Sequence, residues 1–494
     1  MNTKNDQQAR PYIYELDLMR PVTAVTVIAV HVLAFTLFLN KTTAGMQVQY
    51  GIITSVHLTR EVFMFITALA LTYVYFGRPF SGKRFWAKRS IGVLVPYCIW
   101  SIAYTWVNTS QHSPAAFART ALFDILTGNA SYQLYYILLT LQLYLVLPLF
   151  LLFLKYIKQH PWKALSMSFV LQVLLMYADY RYLQQGTLAS SGVWQIVGAY
   201  QDRFLLTYQF FFILGGLAAL FLQQGRAFVL RHGKWIVGGF VLSLAALGVH
   251  YLLQIDVYHE SPVYASSVLQ PTMMFYSAVV IVLLCWLACR WASRTDQLGT
   301  NPFRQRRSVV AEPRHFANDA SASSATHSGE VKGVRAPRSG GMQGEGHPKR
   351  YGFWHTLSDA SFGIYLVHVF ILSALLQWVV PVMPEAWPVA LRIFLTWFIT
   401  AGGAAGLSIL LMKTPVLSHL VGRSAHWRSS WQANALHEWF SNTFLAACLS
   451  GLHRSPNAAA RTQFVGMLGR LHKIITFHHP RKVEQKGSGD AQHV

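Results

Sequence analysis

The sequence predicts an all-α fold, a polytopic bundle of about ten transmembrane helices with both termini in the cytoplasm. Three observations carry that expectation. Hydrophobic residues make up 53% of the 494 residues and charged residues only 12%, against about a quarter charged in soluble domains. Apolar runs recur from residue 21 to about residue 412, each near the length that crosses a bilayer's hydrocarbon. Lysine and arginine alternate from loop to loop, rich in one and nearly absent from the next, as the positive-inside rule requires.

The first span runs from about Pro21, a residue suited to the first helical position, to Leu39 without a charge. Asn40 to Val56 reads as a polar external loop with one lysine, Lys41. The second span, about His57 to Phe76, ends in GRPFSGKRFWAKR, whose five cations (Arg78, Lys83, Arg84, Lys88 and Arg89) place that loop, and hence the N-terminus, in the cytoplasm. Spans three to eight follow at about Ser90–Asn108, Leu134–Leu154, Ala164–Tyr182, Phe204–Leu222, Trp235–Leu253 and Thr272–Trp291. Their internal loops carry Lys155, Lys158, Lys163, Arg226, Arg231 and Lys234, while the stretch from Gln254 to Gln270 has no lysine or arginine.

About Ser293 to Lys349 is rich in Arg, Gly, Ser and Pro without apolar periodicity, the composition of a disordered cytoplasmic loop. Spans nine and ten fall at about Leu357–Val380 and Pro388–Met412. Residues 1–412 therefore form one membrane domain with an insertion at about 293–349, and 413–494 a basic cytoplasmic tail. That tail mixes aromatics with cations, as an amphipathic helix on an anionic leaflet or a poorly ordered basic segment would.

Location explains the net charge of +22. It sits in loops and tails, so it reports topology, and no nucleic-acid partner is expected. The four cysteines (Cys98, Cys285, Cys289 and Cys448) make neither a zinc spacing nor a disulfide framework. No G-x-S-x-G elbow, P-loop or H-E-x-x-H is present. The first apolar run is too long for a signal peptide and lacks a small-residue cleavage site.

Chemistry points to the spans themselves. His31 lies eleven residues past Arg20, about 16 Å deeper at the helical rise, and a titratable group at that depth is costly enough to suggest function. His368, about ten residues past a cap at Ser358 or Asp359, enters from the same face to a similar depth. Two imidazoles on one cavity can hold and shuttle a proton; alternatively each satisfies a polar contact on its own. Arg20, Arg84, Lys88 and Arg89 gather at the internal mouths of the first three spans, where guanidinium forks suit phosphates and a nucleotide-bearing donor such as coenzyme A would dock. Topology alone also accounts for them. Glu61, beside Arg60 at the outer end of span two, is a candidate for orienting an acceptor hydroxyl, and Asp179 with Arg181 invites the same reading.

The motifs in order resemble the integral-membrane acyltransferase family 3. ELDLMRPVTAVTVIAVHVLAF resembles that family's first helix, VFMFITALALTY its second and KRFWAKRSIGVLVPYCIWS its basic loop and Pro-Tyr third helix. SYQLYYILLTLQLYLVLPLF is similar to its fourth helix and SDASFGIYLVHVFIL to its late Ser-Phe-Gly…His helix. The resemblance spans about 12–412. It implies transfer of an acyl group, commonly acetyl, from cytoplasmic acyl-coenzyme A as co-substrate, with no bound cofactor, to a hydroxyl of an extracytoplasmic glycan. His31 would then be general base or acyl carrier, Arg20 the donor-side anchor, and Arg89 the first arginine of the loop motif. Three departures accompany it: the loop's second arginine falls on Gly92, the second helix's Ser-Gly on Thr67-Ala68, and no extracytoplasmic esterase-like domain follows the last span. Any acceptor-side partner is therefore expected to be a separate protein.

Two other readings fit the same spans. A polysaccharide or lipid-linked sugar exporter would line a conduit with these polar groups and need no acyl donor. A membrane anchor or sensor would use only the basic loop and tail.

Overall fold

The computed structural model describes residues 10–109, 113–184, 188, 192–297, 349–414 and 417–422. Most of the expected 293–349 loop and nearly all of the 413–494 tail lie outside the described residues. Every regular element described is helical. In chain order these are α1 (Glu15–Phe35), α2 (Thr43–Val56), α3 (Thr59–Tyr75), α4 (Gly82–Arg89), α5 (Val95–Asn108), α6 (Pro114–Thr127), α7 (Tyr135–Ile157) and α8 (Pro161–Ala178). They continue as α9 (Gly192–Tyr200), α10 (Gln209–Leu220), α11 (Leu222–Arg231), α12 (Gly233–Leu252), α13 (Pro262–Ala265), α14 (Pro271–Gln297), α15 (Lys349–Trp378) and α16 (Val389–Lys413). One compact unit takes in 1–372 and 389–428; of a second unit, residues 373–388 are described, the last turn of α15 and a short 3-10 turn at Val380–Val382.

Eight helical segments among the described residues are long and apolar enough to cross a membrane, and a ninth forms if the bent pair Gly192–Arg203 and Leu205–Leu220 counts as one. The chain is a polytopic helical membrane protein. The expected fifth span corresponds to α8, only 18 residues long, which carries Lys163 and the polar Ser168 and Gln172. Those two polar groups are stitched to the start of α10. Gln172 Nε2 donates to the Thr207 carbonyl at 2.5 Å, and Ser168 Oγ donates to Gln209 Oε1 at 2.7 Å.

Several expected boundaries move. Pro21 does not open the first helix; α1 starts six residues earlier, at Glu15, with Pro21 inside it. Tertiary bonds hold that extra turn and a half. The Glu15 carboxylate accepts from Arg226 Nη2 at 2.7 Å, and Asp17, fully buried, accepts from the Tyr12 hydroxyl at 2.8 Å and approaches His355 Nδ1 at 3.3 Å. Burial and the neighbouring Asp17 carboxylate push the Tyr12 phenol up, so it stays protonated and donates. Likewise α15 begins at Lys349, not at a Ser358 or Asp359 cap. Ser358 is buried mid-helix and Asp359 lies 3.7 Å from His355, one turn back.

Asn40 to Val56 is not a loop. Thr42 caps α2 by accepting from Gly45 N at 3.1 Å, and the buried Gln49 amide turns inward, donating to the Leu33 carbonyl at 2.6 Å near the end of α1. Its polarity serves to satisfy orphan carbonyls at a helix C-terminus.

The bend in the α9–α10 pair, 49°, is handled the same way. Gln142 on α7 donates from Nε2 to the Arg203 carbonyl at 2.6 Å and accepts from Leu205 N at 2.9 Å, so one amide closes both ends of the break. Backbone left open at bilayer depth needs such partners.

Helix α3 packs closely against α10 at Gly215, where an added Cβ would lie 2.4 Å from the Phe65 carbonyl oxygen. A residue with any side chain there must push the two helices apart. Gly215→Val is expected to abolish the monodisperse detergent-solubilised species, read by size-exclusion chromatography, whereas Gly238→Ala, at a position with open space around its Cβ, leaves it intact.

Candidate active site

His31 sits one turn before the end of α1, and His368 lies within α15; their ring centroids are 5.2 Å apart. The expected pair is brought together. His368 is fully buried. Its Nδ1 faces the carbonyls of Tyr365 at 2.8 Å and Ile364 at 3.2 Å. Both are acceptors, so Nδ1 must carry the proton, and the neutral ring then presents Nε2 as a bare lone pair. That Nε2 meets no donor among the described residues. The His31 ring makes no hydrogen bond there either; its neighbours are rings, those of His368, Phe35 at 6.5 Å and Tyr132 at 6.3 Å.

The turn of α15 that carries His368 is held from α5. The Tyr104 hydroxyl donates to the Leu366 carbonyl at 2.8 Å and accepts from Phe370 N at 3.1 Å. A tyrosine from another helix thus bridges the turn that carries the imidazole.

His31 lines a cavity of about 40 Å³, room for one or two waters. Around it stand Val27 and Val30 of α1, the His57–Thr59–Arg60–Phe63 stretch at the start of α3, and Tyr132, Gln133, Tyr135 and Tyr136 at the start of α7, with Tyr365 from α15. Tyr365 donates to the Gln133 carbonyl, which ties α15 to the α7 start. Tyr136 stands 3.5 Å from Thr67 Oγ1, so the threonine in place of a serine keeps a hydroxyl facing the cavity wall, while the adjacent Ala68 is packed against Gly215.

Glu61 is buried on α3 but is not among the cavity-lining residues, and its Oε2 meets no donor among the described residues. Asp179 and Arg181 lie in a π-helical turn, 179–184, that contributes nothing to the cavity; Asp179 accepts from Gln184 Nε2 at 2.7 Å.

The basic candidates occupy the other end of α1. Phe85 is buried in a ring cluster with Tyr75, Phe80, Trp86 and Tyr144, and this anchors α4. Arg84 and Lys88, four residues apart, are exposed on it. Arg89 lies over Tyr144 at 5.0 Å, and Arg20 acts electrostatically on the same tyrosine. Both arginines thus act on Tyr144. Gly92, in the π-helical turn 90–94 that follows, has its carbonyl covered by Gly422, whose φ of +76° and lack of a Cβ permit the approach.

Sequence patterns did not single out His57, Tyr132, Tyr135, Tyr136 or Tyr365. The tyrosine density of SYQLYY was the available signal; His57 directly ahead of a helix start was another. No cluster of metal-ligand type occurs among the described residues.

A membrane-embedded helical enzyme is the class these features define: a buried imidazole pair at one level, a cationic mouth at another. The particular family follows from comparison. A family model described as an acyltransferase domain, that of acyltransferase family 3, matches residues 13–303, and the chain belongs to that family. The match takes in Arg20, His31, Glu61, Arg84, Lys88 and Arg89 and stops short of α15 and His368. No curated protein and no solved structure gives a significant match.

Tyr104→Phe is expected to remove the hydroxyl's bonds to the Leu366 carbonyl and Phe370 N, lowering stability by about 0.5–1.5 kcal/mol. Thermal unfolding in detergent checks this, with Tyr177→Phe, an exposed tyrosine, as the control that shows no change.

Proposed function

We propose that this chain is a plasma-membrane O-acyltransferase. It takes an acyl group, acetyl being the first candidate, from cytoplasmic acyl-coenzyme A and places it on a hydroxyl of an extracytoplasmic polysaccharide or glycolipid. The single observation that carries the reading is the approach of His31 to His368, two imidazoles from helices far apart in the chain, within a family of acyltransferases.

In this scheme the loop holding α4 faces the cytoplasm, and Arg20, Arg84, Lys88 and Arg89 receive the donor's phosphates. The thioester arm extends along α1 toward the cavity. From the opposite side an acceptor hydroxyl enters past Tyr132. An imidazole lone pair takes the hydroxyl proton as the oxygen attacks the thioester carbonyl. The C–S bond breaks, the proton passes to the coenzyme A thiolate, and the new ester leaves on the acceptor side. His368, with Nδ1–H tied to a carbonyl, is held in the tautomer able to accept a proton at Nε2. At 5.2 Å between ring centres, the pair suits relay of that proton between the two rings. A separate acceptor-side protein completes delivery if the glycan is assembled elsewhere.

The test uses purified full-length protein in nanodiscs with acetyl-coenzyme A. His31→Ala is expected to lower coenzyme A release by about 10²–10⁴-fold, the worth of a positioned base, with insertion and monodispersity unchanged. Turnover equal to wild type in that variant overturns the role of His31, and absence of donor turnover in wild type favours an exporter. Arg20→Gln combined with Arg89→Gln is expected to raise the KM for acetyl-coenzyme A at least tenfold while leaving kcat within a few-fold, measured by the same release assay.

A further inference from the structure

Arg60 is the one cation among the residues lining the cavity, and no carboxylate lines it. Its guanidinium lies over the rings of Tyr135 at 5.6 Å and Tyr208 at 5.9 Å, and its Nε is buried without an acceptor. Glu61 and Asp202 act on its charge from outside the cavity lining, but neither closes to an ion pair within 4 Å among the described residues, and Asp202 is engaged with Arg203 at 3.4 Å. Its position in the helix does not help it. Arg60 is the second residue of α3, where the helix dipole and the unpaired N–H groups favour negative charge. A cation in that place, between two rings and facing a cavity, is what an incoming anion would compensate.

Surroundings narrow the ligand. A carboxylate or phosphate entering the cavity reaches the guanidinium of Arg60 among tyrosine hydroxyls and the Gln133 amide, with no carboxylate in the lining to repel it. At its edge Tyr132 is exposed and faces His31 and Phe35, a flat ring against which a pyranose can stack while its hydroxyl points at the imidazoles. We infer that the acceptor is an anionic glycan, whose carboxylate or phosphate is held by Arg60 at the start of α3 while the sugar that bears it remains at Tyr132. This rests on the acyltransferase reading and specifies its acceptor. A phosphate would come from a lipid-linked or teichoic-type acceptor, a carboxylate from a uronic or pyruvylated sugar.

The experiment measures protection of the full-length protein in nanodiscs against thermal unfolding by glucuronate, glucose 1-phosphate and glucose at equal ionic strength. It is paired with acetyl-coenzyme A turnover in the presence of each. Saturable protection by glucuronate or by glucose 1-phosphate, with none by glucose, is expected, and whichever binds more tightly identifies the source of the anion. In Arg60→Gln the affinity for the charged sugar should fall at least tenfold, whereas Arg60→Lys should retain part of it. Equal protection by glucose, or protection by the charged sugars that Arg60→Gln leaves intact, overturns the inference. If Arg60→Gln does not fold, the wild-type comparison of charged and neutral sugars still decides. Absence of any donor turnover, with charged-sugar protection present, would remove the acyltransferase reading and leave the anion site standing.

Discussion

Polar groups at bilayer depth must find their partners inside the protein, and this constraint organises the whole bundle. At three places among the described residues, a side chain from another helix supplies the partner. Gln49 caps the end of α1, Gln142 bridges the break before α10, and Tyr104 bridges the turn of α15 that carries His368. These are long-range bonds, and each joins helices that the apolar surface alone would leave free to slide or rotate. In lipid no hydrophobic force separates one register from another, so close packing and interhelical hydrogen bonds decide it.

Unsatisfied buried polar atoms are spread through the bundle, and three of them among the described residues, on His57, Arg60 and Gln133, line the cavity that His31 also lines, while His368 Nε2, likewise without a partner there, belongs to the ring 5.2 Å from His31. An unfilled donor or acceptor in an apolar interior costs about 1–3 kcal/mol, and their gathering here is what supports the proposed site. The same fold uses the other end of α1 differently. There Glu15, Asp17, Arg226 and His355 are joined to one another, and Arg10 donates to the carbonyls of Tyr73 and Phe76 at the end of α3, the second at 2.7 Å. The rigid, paired end holds α1 in place. At its far end the His31 ring meets only other rings.

Membership of an acyltransferase family and the paired imidazoles make a coherent whole with the basic mouth near Tyr144. Neither end of α1 suffices alone: a cationic mouth is ordinary topology, and a buried histidine is an ordinary interhelical donor. Their placement on one helix, with a second histidine delivered by α15, is what supports the proposed route of an acyl group between the two sides of the bilayer.

The sequence by itself determined the helical class and its polytopic character. Those follow from local quantities: apolar run length and composition. It also singled out Arg20, Arg89, His31 and His368 for attention, because a charged or titratable side chain in an apolar run is visible without any fold. Only the tertiary structure decided where the helices begin and which candidates meet. The start of α1 at Glu15 depends on Arg226, Tyr12 and His355, residues up to several hundred positions away. The helical state of α2 is reinforced by where Gln49 finds acceptors. Glu61 and Arg60 look equivalent in sequence, yet a rotation of about 100° per residue around α3 separates them, one lining the cavity and one outside its lining. Contacts between distant helices have no local signature, and that is why the cavity had to be seen folded.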